Sequence, residues 1–459
     1  MCQVQLIITT TIENINPVRY TNCSRNIHSI NTKETFRTPL YKESYEMYYK
    51  FLICLIFFPI FVKCFEYFNF DVINNIIDSV KGSENKNENK EDNSVLDDAK
   101  LNITELAKKY NYKIEEHTVV TEDGYILNIH RLPPKNGKKC GTIFLMHGIL
   151  DSSDSWVLQG PNNALAYILA DNGYDTWMGN ARGNKYSDTH TKLTKNESEY
   201  WKFSWEEIGL YDLPATIDYI LRVTRQDSLY YVGHSQGTTT FLVMNSMKPS
   251  YNSKIKMMFA LSPIAWFSHA KSPVVKMAVN LLYIIDTNIY ISSTEYFAKI
   301  ENYICNFISG CDNMLQYLIG NDYKFINCGL MSTIAGHNPS TSSITQLIHY
   351  GQLYLSGNFC RFDFGTKDNL IKYGQETPPF YNLRKVTVPI VLFYSNNDWL
   401  SDVEDVSILF NNLPNVYNTY NIEKFNHFDY IYASVAKYAV YSNILKEIRE
   451  FESSEDNLD

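Results

Sequence analysis

The chain has 459 residues, 45% of them hydrophobic, and a formal net charge of −9 at pH 7. This length accommodates one large α/β domain with insertions or two domains, and the apolar content supports a substantial core. The acidic balance, without a basic stripe or a nucleic-acid motif, argues against a nucleic-acid partner.

The first part of the chain has the layout of a presequence. Residues 1–46 are polar and aperiodic, and we interpret them as an extension ahead of the true start. Lys50 and the apolar run Phe51–Val62 predict a signal peptide over residues 47–64, because this run is too short to span a bilayer comfortably. We therefore expect a secreted or lysosomal protein, with a retained membrane anchor or a buried helix as the alternatives.

Residues 65–100 are predicted to form a flexible linker. Within them, Lys81–Asp98 is rich in Asn, Glu and Lys and has almost no apolar residues. Such a segment cannot bury enough apolar surface to fold. Folded structure should begin near Leu101.

Beyond Leu101, strand and helix patterns alternate. Glu115–Val120 and Tyr125–Leu132 have strand patterns, and Asp123-Gly124 between them predicts a hairpin. Thr142–Met146 is continuously apolar, as expected for a strand buried on both faces. The other predicted strands are Tyr174–Trp177, Leu229–Val232, Met257–Leu261 and Val388–Tyr394. The predicted helices are Leu101–Tyr110, Asn163–Asn172, Tyr211–Thr224, Thr238–Met247, Val275–Ile285, Ser407–Leu413 and Ala433–Phe451. This order predicts an α/β fold with a mostly parallel central sheet flanked by helices.

The alternation is interrupted once. It is lost between Trp266 and Asn382, which predicts an inserted α-helical cap or lid over residues 266–382. The insertion divides the α/β core into residues 101–265 and 383–451. The acidic tail, residues 452–459, is predicted to fray.

A Gly-x-Ser-x-Gly pattern lies at the centre of the chain, from Gly233 to Gly237. It follows a predicted strand and precedes a predicted helix, which is the setting of a nucleophile elbow. In an elbow Ser235 occupies a tight, strained turn with its hydroxyl exposed, and the two glycines let strand and helix approach closely. The alternative is a chance match in a loop, and the strand–turn–helix setting argues against it.

A serine nucleophile needs a base, and the base needs a group that orients it. In an elbow fold the chain order is Ser, then Asp or Glu, then His. Of the histidines after Ser235, only His427 follows the last part of the core, so we expect it to be the general base. The others lie in the predicted cap: His269, His337 and His349.

Asp398 is the predicted orienting acid, because it directly follows the strand Val388–Tyr394. Asp402 and Asp405 are rivals that fit better as charges at the start of a helix. Asp429 is too close to His427 in sequence to be the usual orienting group.

The oxyanion of a tetrahedral intermediate needs preorganised N–H donors. One candidate is the backbone N–H of Gln236, the residue after the nucleophile. The other is the N–H of Ile149, in the loop that follows Thr142–Met146. His147 in the same loop is expected to be structural rather than a second base.

Modification sites follow from a secretory route. Asn102 and Asn196 begin glycosylation sequons. Five cysteines remain after the presequence, so at least one is unpaired within the chain: Cys140, Cys305, Cys311, Cys328 and Cys360. No Cys-x-x-Cys pair or His cluster indicates a metal site, and no organic cofactor is implied.

Several motifs together resemble the acid lipase family of α/β-hydrolases, which includes gastric, lysosomal acid and many insect lipases. They stand in family order between about Leu101 and Glu450: His147-Gly148-Ile149-Leu150, Gly179-Asn180-Ala181-Arg182-Gly183-Asn184, Tyr211-Asp212-Leu213-Pro214, Gly233-His234-Ser235-Gln236-Gly237-Thr238, His337-Asn338-Pro339 and Asn426-His427-Phe428-Asp429. The resemblance implies the α/β-hydrolase fold with a helical cap, Ser235, Asp398 and His427 as the triad, and Ile149 and Gln236 as oxyanion donors.

What the resemblance implies is hydrolysis of fatty-acid esters, either acylglycerols or steryl esters, at an oil–water or membrane interface. A helical lid would hide an acyl-chain pocket until the interface opens it. The apolar segment Val275–Ile285 is consistent with such a lid and equally with an ordinary core helix of the cap. Two alternatives stay open: a carboxylesterase for smaller soluble esters, and a non-catalytic lipid-binding protein on the same fold.

Overall fold

The computed structural model describes residues 98–137, 140–282, 290–291, 319–320, 326 and 328–455. The predicted extension, the signal peptide and nearly all of the linker lie outside these residues. No helix among the described residues has the length and apolarity needed to cross a membrane.

The secondary structure alternates between strands and helices through most of the described chain. The strands are β1 (Glu115–Val120), β2 (Tyr125–Leu132), β3 (Gly141–Met146), β4 (Tyr174–Met178), β5 (Thr189–His190), β6 (Leu229–His234), β7 (Ile255–Leu261), β8 (Tyr290–Ile291), β9 (Ser342–Ser343), β10 (Ile390–Tyr394) and β11 (Val416–Asn421). The α-helices up to the end of β7 are α1 (Ile103–Lys109), α2 (Leu165–Asp171), α3 (Trp205–Glu207), α4 (Leu213–Thr224) and α5 (Gln236–Met247). Those after it are α6 (Pro273–Leu282), α7 (Cys328–His337), α8 (Ile344–Ser356), α9 (Thr366–Tyr373), α10 (Val403–Asn412), α11 (Asp429–Tyr432) and α12 (Ser442–Glu455).

The main sheet has the order β1-β2-β4-β3-β6-β7-β10-β11, and β5 also pairs with β2. From β4 to β11 neighbouring strands are parallel, and β1 and β2 form the predicted antiparallel hairpin. This topology confirms the prediction of a mostly parallel α/β sheet. The parallel strands end at one edge of the sheet, where ligands of such sheets usually bind.

The sheet is buried on both faces, as the apolar run of β3 predicts. Phe144 and Met146 join one core cluster, whereas Ile143 and Leu145 join the other. Successive strand residues point to opposite faces, so each strand contributes to both clusters. The helices cover the two faces and complete these cores.

Several predicted boundaries differ from the structure. The helix predicted from Thr238 begins at Gln236, and the one predicted over Ser407–Leu413 spans Val403–Asn412. The predicted helix Ala433–Phe451 is wrong in its first part, where a π-helix over Lys437–Tyr441 precedes α12. The last helix, α12, continues to Glu455, the rest of the acidic tail lies outside the described residues, and its fraying remains a prediction.

The stretch between β7 and β10 contains α6, α7, α8 and α9. The apolar segment predicted over Val275–Ile285 forms α6 as far as Leu282, and its last residues lie outside the described part. The boundaries 266–382 of a cap domain remain a prediction.

Candidate active site

Ser235 stands at the sharp turn between β6 and α5. Its φ of 51° lies in the left-handed region, which is unfavourable for a residue with a side chain. The turn is fixed by hydrogen bonds: the Ser235 N–H donates to Leu261 O over 3.0 Å, and Thr238 N–H donates to Ser235 O over 2.9 Å. The strained backbone directs the Ser235 hydroxyl towards the residues that follow β10 and β11.

The two elbow glycines lie where no side chain fits. A Cβ on Gly237 would stand 2.3 Å from Met146 O, and one on Gly233 would stand 2.8 Å from the Gly237 carbonyl group. Both neighbours are backbone atoms and cannot rotate away. The glycines therefore let α5 begin directly against β6 and against the end of β3.

His427 and Asp398 complete a continuous chain of hydrogen bonds from Ser235. His427 Nε2 lies 2.8 Å from Ser235 Oγ, and His427 Nδ1 lies 3.0 and 3.1 Å from the two Asp398 carboxylate oxygens. The three side chains are buried. Asp398 Oδ1 also accepts the N–H groups of Leu400 and Ser401, each over 2.9 Å, so the carboxylate is held by rigid backbone.

The rival acids have other partners. Asp402 caps α10 by accepting the Glu404 N–H and forms an ion pair with Lys271. Asp405 binds His269, and this hydrogen bond raises the pKa of the imidazole above its ordinary value. Asp429 accepts the N–H of Asn426 and so supports the loop that carries His427. The structure thus brings Asp398, and not these acids, to His427.

The loop His147–Leu150 lies against the nucleophile. A Cβ on Gly148 would stand 3.3 Å from Ser235 Cβ, and Ile149 is the next residue of this loop. Gln236 is the first residue of α5, and the first N–H groups of a helix have no acceptor within the helix. The positive end of the helix dipole also favours negative charge here. Gln236 and the loop that carries Ile149 therefore both adjoin Ser235.

His147 stabilises this loop through hydrogen-bond contacts of its ring. Its Nδ1 lies 2.7 Å from Gly148 O, and its Nε2 accepts the Ala181 N–H over 3.1 Å. Burial lowers the pKa of the ring to about 4, so it is neutral near pH 7. A neutral ring with its proton on Nδ1 satisfies both contacts, which gives His147 a structural position.

Sequence reasoning did not identify three further side chains at the site. Ser262 contacts both Asp398 and His427. His234 Nε2 lies 2.9 Å from His427 O, and burial lowers the pKa of its ring to about 3. Gln346 of α8 accepts a hydrogen bond from the Gln236 side chain over 2.7 Å, which ties α8 to the start of α5. No signal in the sequence marks Ser262, because only the strand order of the sheet brings it to the pair.

The remaining predicted residues have these positions. Asn102 is exposed and caps α1, and Asn196 is exposed in a loop. Cys140 and Cys360 are free cysteines, whereas Cys305, Cys311 and the side chain of Cys328 lie outside the described part. In the described residues no group of three His, Cys, Asp or Glu side chains is arranged to hold a metal ion.

Comparison with known proteins shows which protein families and relatives the chain resembles. Two family profiles match it, a partial alpha/beta-hydrolase lipase region over residues 103–160 and the alpha/beta hydrolase fold over residues 141–290. Lipase 3 of Drosophila melanogaster is 40% identical over 358 residues, which cover 74% of this chain and 91% of that protein. Mouse gastric triacylglycerol lipase is 36% identical over 370 residues, covering 77% and 93%. Human lipase member K is 36% identical over 342 residues, covering 71% and 85%.

The chain belongs to the acid lipase family of α/β-hydrolases. The resemblance found in its motifs and the predicted α/β-hydrolase fold are thereby confirmed. This lipase is a carboxylic ester hydrolase, and its Ser235, His427 and Asp398 are joined in one chain of hydrogen bonds.

Proposed function

We propose that the lipase hydrolyses fatty-acyl esters of acylglycerols or sterols through a covalent acyl-enzyme. The observation that carries this proposal is the hydrogen-bonded chain from Ser235 Oγ through His427 to Asp398. The named relatives, among them a triacylglycerol lipase, support a lipid ester as the substrate.

In the first half of the reaction Ser235 Oγ attacks the ester carbonyl while its proton moves to His427 Nε2. The oxyanion that forms accepts hydrogen bonds from the backbone N–H groups of Gln236 and Ile149. Asp398 stabilises the imidazolium through Nδ1–H and does not itself take the proton. His427 then gives its proton to the leaving alcohol as the C–O bond breaks, and the acyl group stays on Ser235.

In the second half water replaces the alcohol. His427 Nε2 takes a proton from the water, and the resulting hydroxyl attacks the acyl carbonyl. Return of the proton to Ser235 Oγ releases the fatty acid and restores the starting state. Every proton that leaves one group is thus received by another named group.

The test compares wild type with Ser235→Ala on esters of short and long acyl chains, at acidic and neutral pH. The matched control is Ser246→Ala, because Ser246 is likewise a buried serine, it lies on α5, and its hydroxyl donates to the backbone oxygen of Val243 and not to a group of the triad. We expect long-chain hydrolysis that disappears in Ser235→Ala and persists in Ser246→Ala. Activity confined to short chains would favour a carboxylesterase, and no activity in folded wild type would favour a lipid-binding protein.

We also propose that the lipase is secreted or lysosomal and acts at an oil–water or membrane interface. The signal-peptide pattern over residues 47–64 supports the route. N-terminal sequencing of the mature protein tests it. A first residue beyond Cys64 is expected, and retention of Phe51–Val62 would instead indicate a membrane-anchored enzyme.

A further inference from the structure

Ser262 lies between the strands that carry the nucleophile and the acid. It directly follows β7, which is flanked in the sheet by β6 and β10. Its N–H donates to Phe393 O at the end of β10 over 2.9 Å, and the preceding carbonyl, Leu261 O, accepts the Ser235 N–H. Ser262 is fully buried, and its φ is 53°. The sheet order thus fixes this side chain beside the catalytic groups.

The Ser262 hydroxyl contacts both members of the acid–base pair. It donates a short hydrogen bond to Asp398 Oδ2, and its oxygen lies 2.6 Å from His427 Nδ1. A hydroxyl has one proton and two lone pairs, whereas a carboxylate can only accept. The Ser262 proton must therefore point to Asp398, and the Ser262 oxygen accepts from His427 Nδ1–H.

This arrangement selects one tautomer of His427. With the proton on Nδ1 shared between Asp398 and Ser262, the lone pair of Nε2 faces the Ser235 hydroxyl 2.8 Å away. The hydroxyl also fixes the acid. Backbone N–H groups hold Asp398 Oδ1, and Ser262 holds Oδ2, so both carboxylate oxygens are anchored.

We propose that Ser262 is a positioning residue of the catalytic site, which holds Asp398 and the Nδ1–H tautomer of His427 through one buried hydroxyl. This inference rests on the proposed acyl-enzyme mechanism. Ser262 acts through His427 and does not contact the substrate, so its removal should lower kcat and leave KM unchanged.

The experiment compares Ser262→Ala and Ser262→Gly with wild type and with Ser246→Ala. Both Ser262 variants lack the hydroxyl, but glycine tolerates a positive φ and alanine does not, which separates the hydroxyl from backbone strain. Ser246→Ala controls for the loss of a buried serine hydroxyl. We expect kcat to fall roughly 10- to 100-fold in both Ser262 variants, the effect of losing one hydrogen bond to a charged group.

Two further readouts distinguish positioning from a general structural role. The downfield proton NMR signal of His427 Nδ1–H should move in both Ser262 variants and stay in Ser246→Ala. The acidic limb of the kcat/KM profile should move to higher pH, because Asp398 loses a donor and stabilises the imidazolium more strongly. Two other titratable groups, His234 and Tyr430, face the pair, and both residues are present in wild type and in every variant.

The outcomes separate this inference from the proposed function. Wild-type kcat and an unmoved Nδ1–H signal in both Ser262 variants, with Ser235→Ala inactive, would overturn the role of Ser262 alone. A loss of kcat in Ser262→Ala but not in Ser262→Gly would assign the effect to backbone strain and would also overturn it. The NMR signal can be read even in an inactive enzyme, so failure of the ester assay bears on the proposed function instead.

Discussion

Two buried histidine–aspartate pairs occur in the part of this lipase that the structure describes, and one of the two is arranged for catalysis. His427 Nδ1 lies 3.0 Å from Asp398, and His337 Nδ1 lies 2.6 Å from Asp154, so distance alone would favour the second pair. The difference is at the other ring nitrogen. His427 Nε2 faces a hydroxyl, whereas His337 Nε2 lies 3.1 Å from the backbone carbonyl of Asp98.

A carbonyl oxygen can only accept, so His337 Nε2 must carry a proton. Its Nδ1 faces a carboxylate and is also a donor, so neither ring nitrogen has a lone pair to offer as a base. Burial alone would raise the pKa of Asp154, but the charges of Lys185 and His337 outweigh it and hold that pKa below its ordinary value. A buried His–Asp contact therefore identifies a base only when the second nitrogen meets a group that can donate.

The second pair has a connecting role instead. His337 ends α7, whereas Asp154 belongs to the segment that follows the loop His147–Leu150. Close by, Ser340 N–H donates to Leu150 O over 2.6 Å, and Lys185 N–H donates to the Ser340 hydroxyl over 3.0 Å. The first bond joins the segment after α7 to the loop His147–Leu150, which holds the predicted oxyanion donor, and the second joins that segment to Lys185.

The largest expected difference between the pairs comes from replacing each histidine with glutamine. His427→Gln should lower kcat roughly 10⁴- to 10⁶-fold, because no group remains to take the Ser235 proton. His337→Gln should keep kcat per folded molecule near wild type and lower the thermal midpoint, since it breaks a buried ion pair. Steady-state kinetics and thermal unfolding of both variants measure this. A large kcat loss in His337→Gln with an unchanged midpoint would contradict the comparison.

Replacing the acids should separate the pairs in the same way with smaller effects. Asp398→Asn should lower kcat by about 10³- to 10⁴-fold with near-normal stability, because the amide favours the wrong tautomer of His427. Asp154→Asn should destabilise the fold by roughly 2–4 kcal/mol, somewhat less than for a fully buried pair because Lys185 is one-third exposed. Chemical unfolding and kcat measured on the same preparations give both numbers. Equal losses of unfolding free energy in Asp398→Asn and Asp154→Asn would contradict the assignment of only the second pair to stability.

The sequence predicted the triad residues that the structure brings together, because the elbow pattern and the chain order constrain each choice. It also predicted β3, since a short, continuously apolar run is typical of a strand that is buried on both faces. It could not indicate β11, whose residues Val416–Asn421 are mostly exposed and polar. That edge strand is specified by its pairing with β10 and not by its own composition.

The role of Ser262 was also beyond sequence reasoning. A serine before a proline at the end of a strand is an ordinary feature of a turn. Only the strand order β6-β7-β10 brings this residue between Ser235 and Asp398. The same holds for His337, whose partner Asp154 is far away in sequence and close only in the folded chain.

The smallest expected effect concerns Asp151, which lies near the pair of His337 and Asp154. Its pKa is shifted in the opposite direction to the pKa of Asp154. Burial, aided by the nearby negative charge of Asp154, raises the pKa of Asp151 from 3.8 to about 7. Between pH 4 and 7 the folded state therefore holds a proton that the unfolded state has released, so this group makes the fold less stable as pH rises. Asp154 has a lowered pKa, and its stabilisation is present above about pH 4 and is lost only at more acidic pH.

The difference in thermal midpoint between pH 5 and pH 8 should therefore shift in Asp151→Asn relative to wild type. The variant should gain relative stability at pH 8, because the amide has no proton to release. Asp151 is partly exposed, so we expect about 1 kcal/mol, or roughly 2–4 °C in the thermal midpoint, after solvent screening. Asp368→Asn, at an exposed carboxyl on α9, is the control and should leave the difference unchanged. Calorimetry of the three proteins at both pH values measures the effect. If the stability of Asp151→Asn and of wild type changed by the same amount between pH 5 and pH 8, Asp151 would be ionised in the fold. The cluster around His337 would then carry two negative carboxylates, Asp151 and Asp154, beside Lys185.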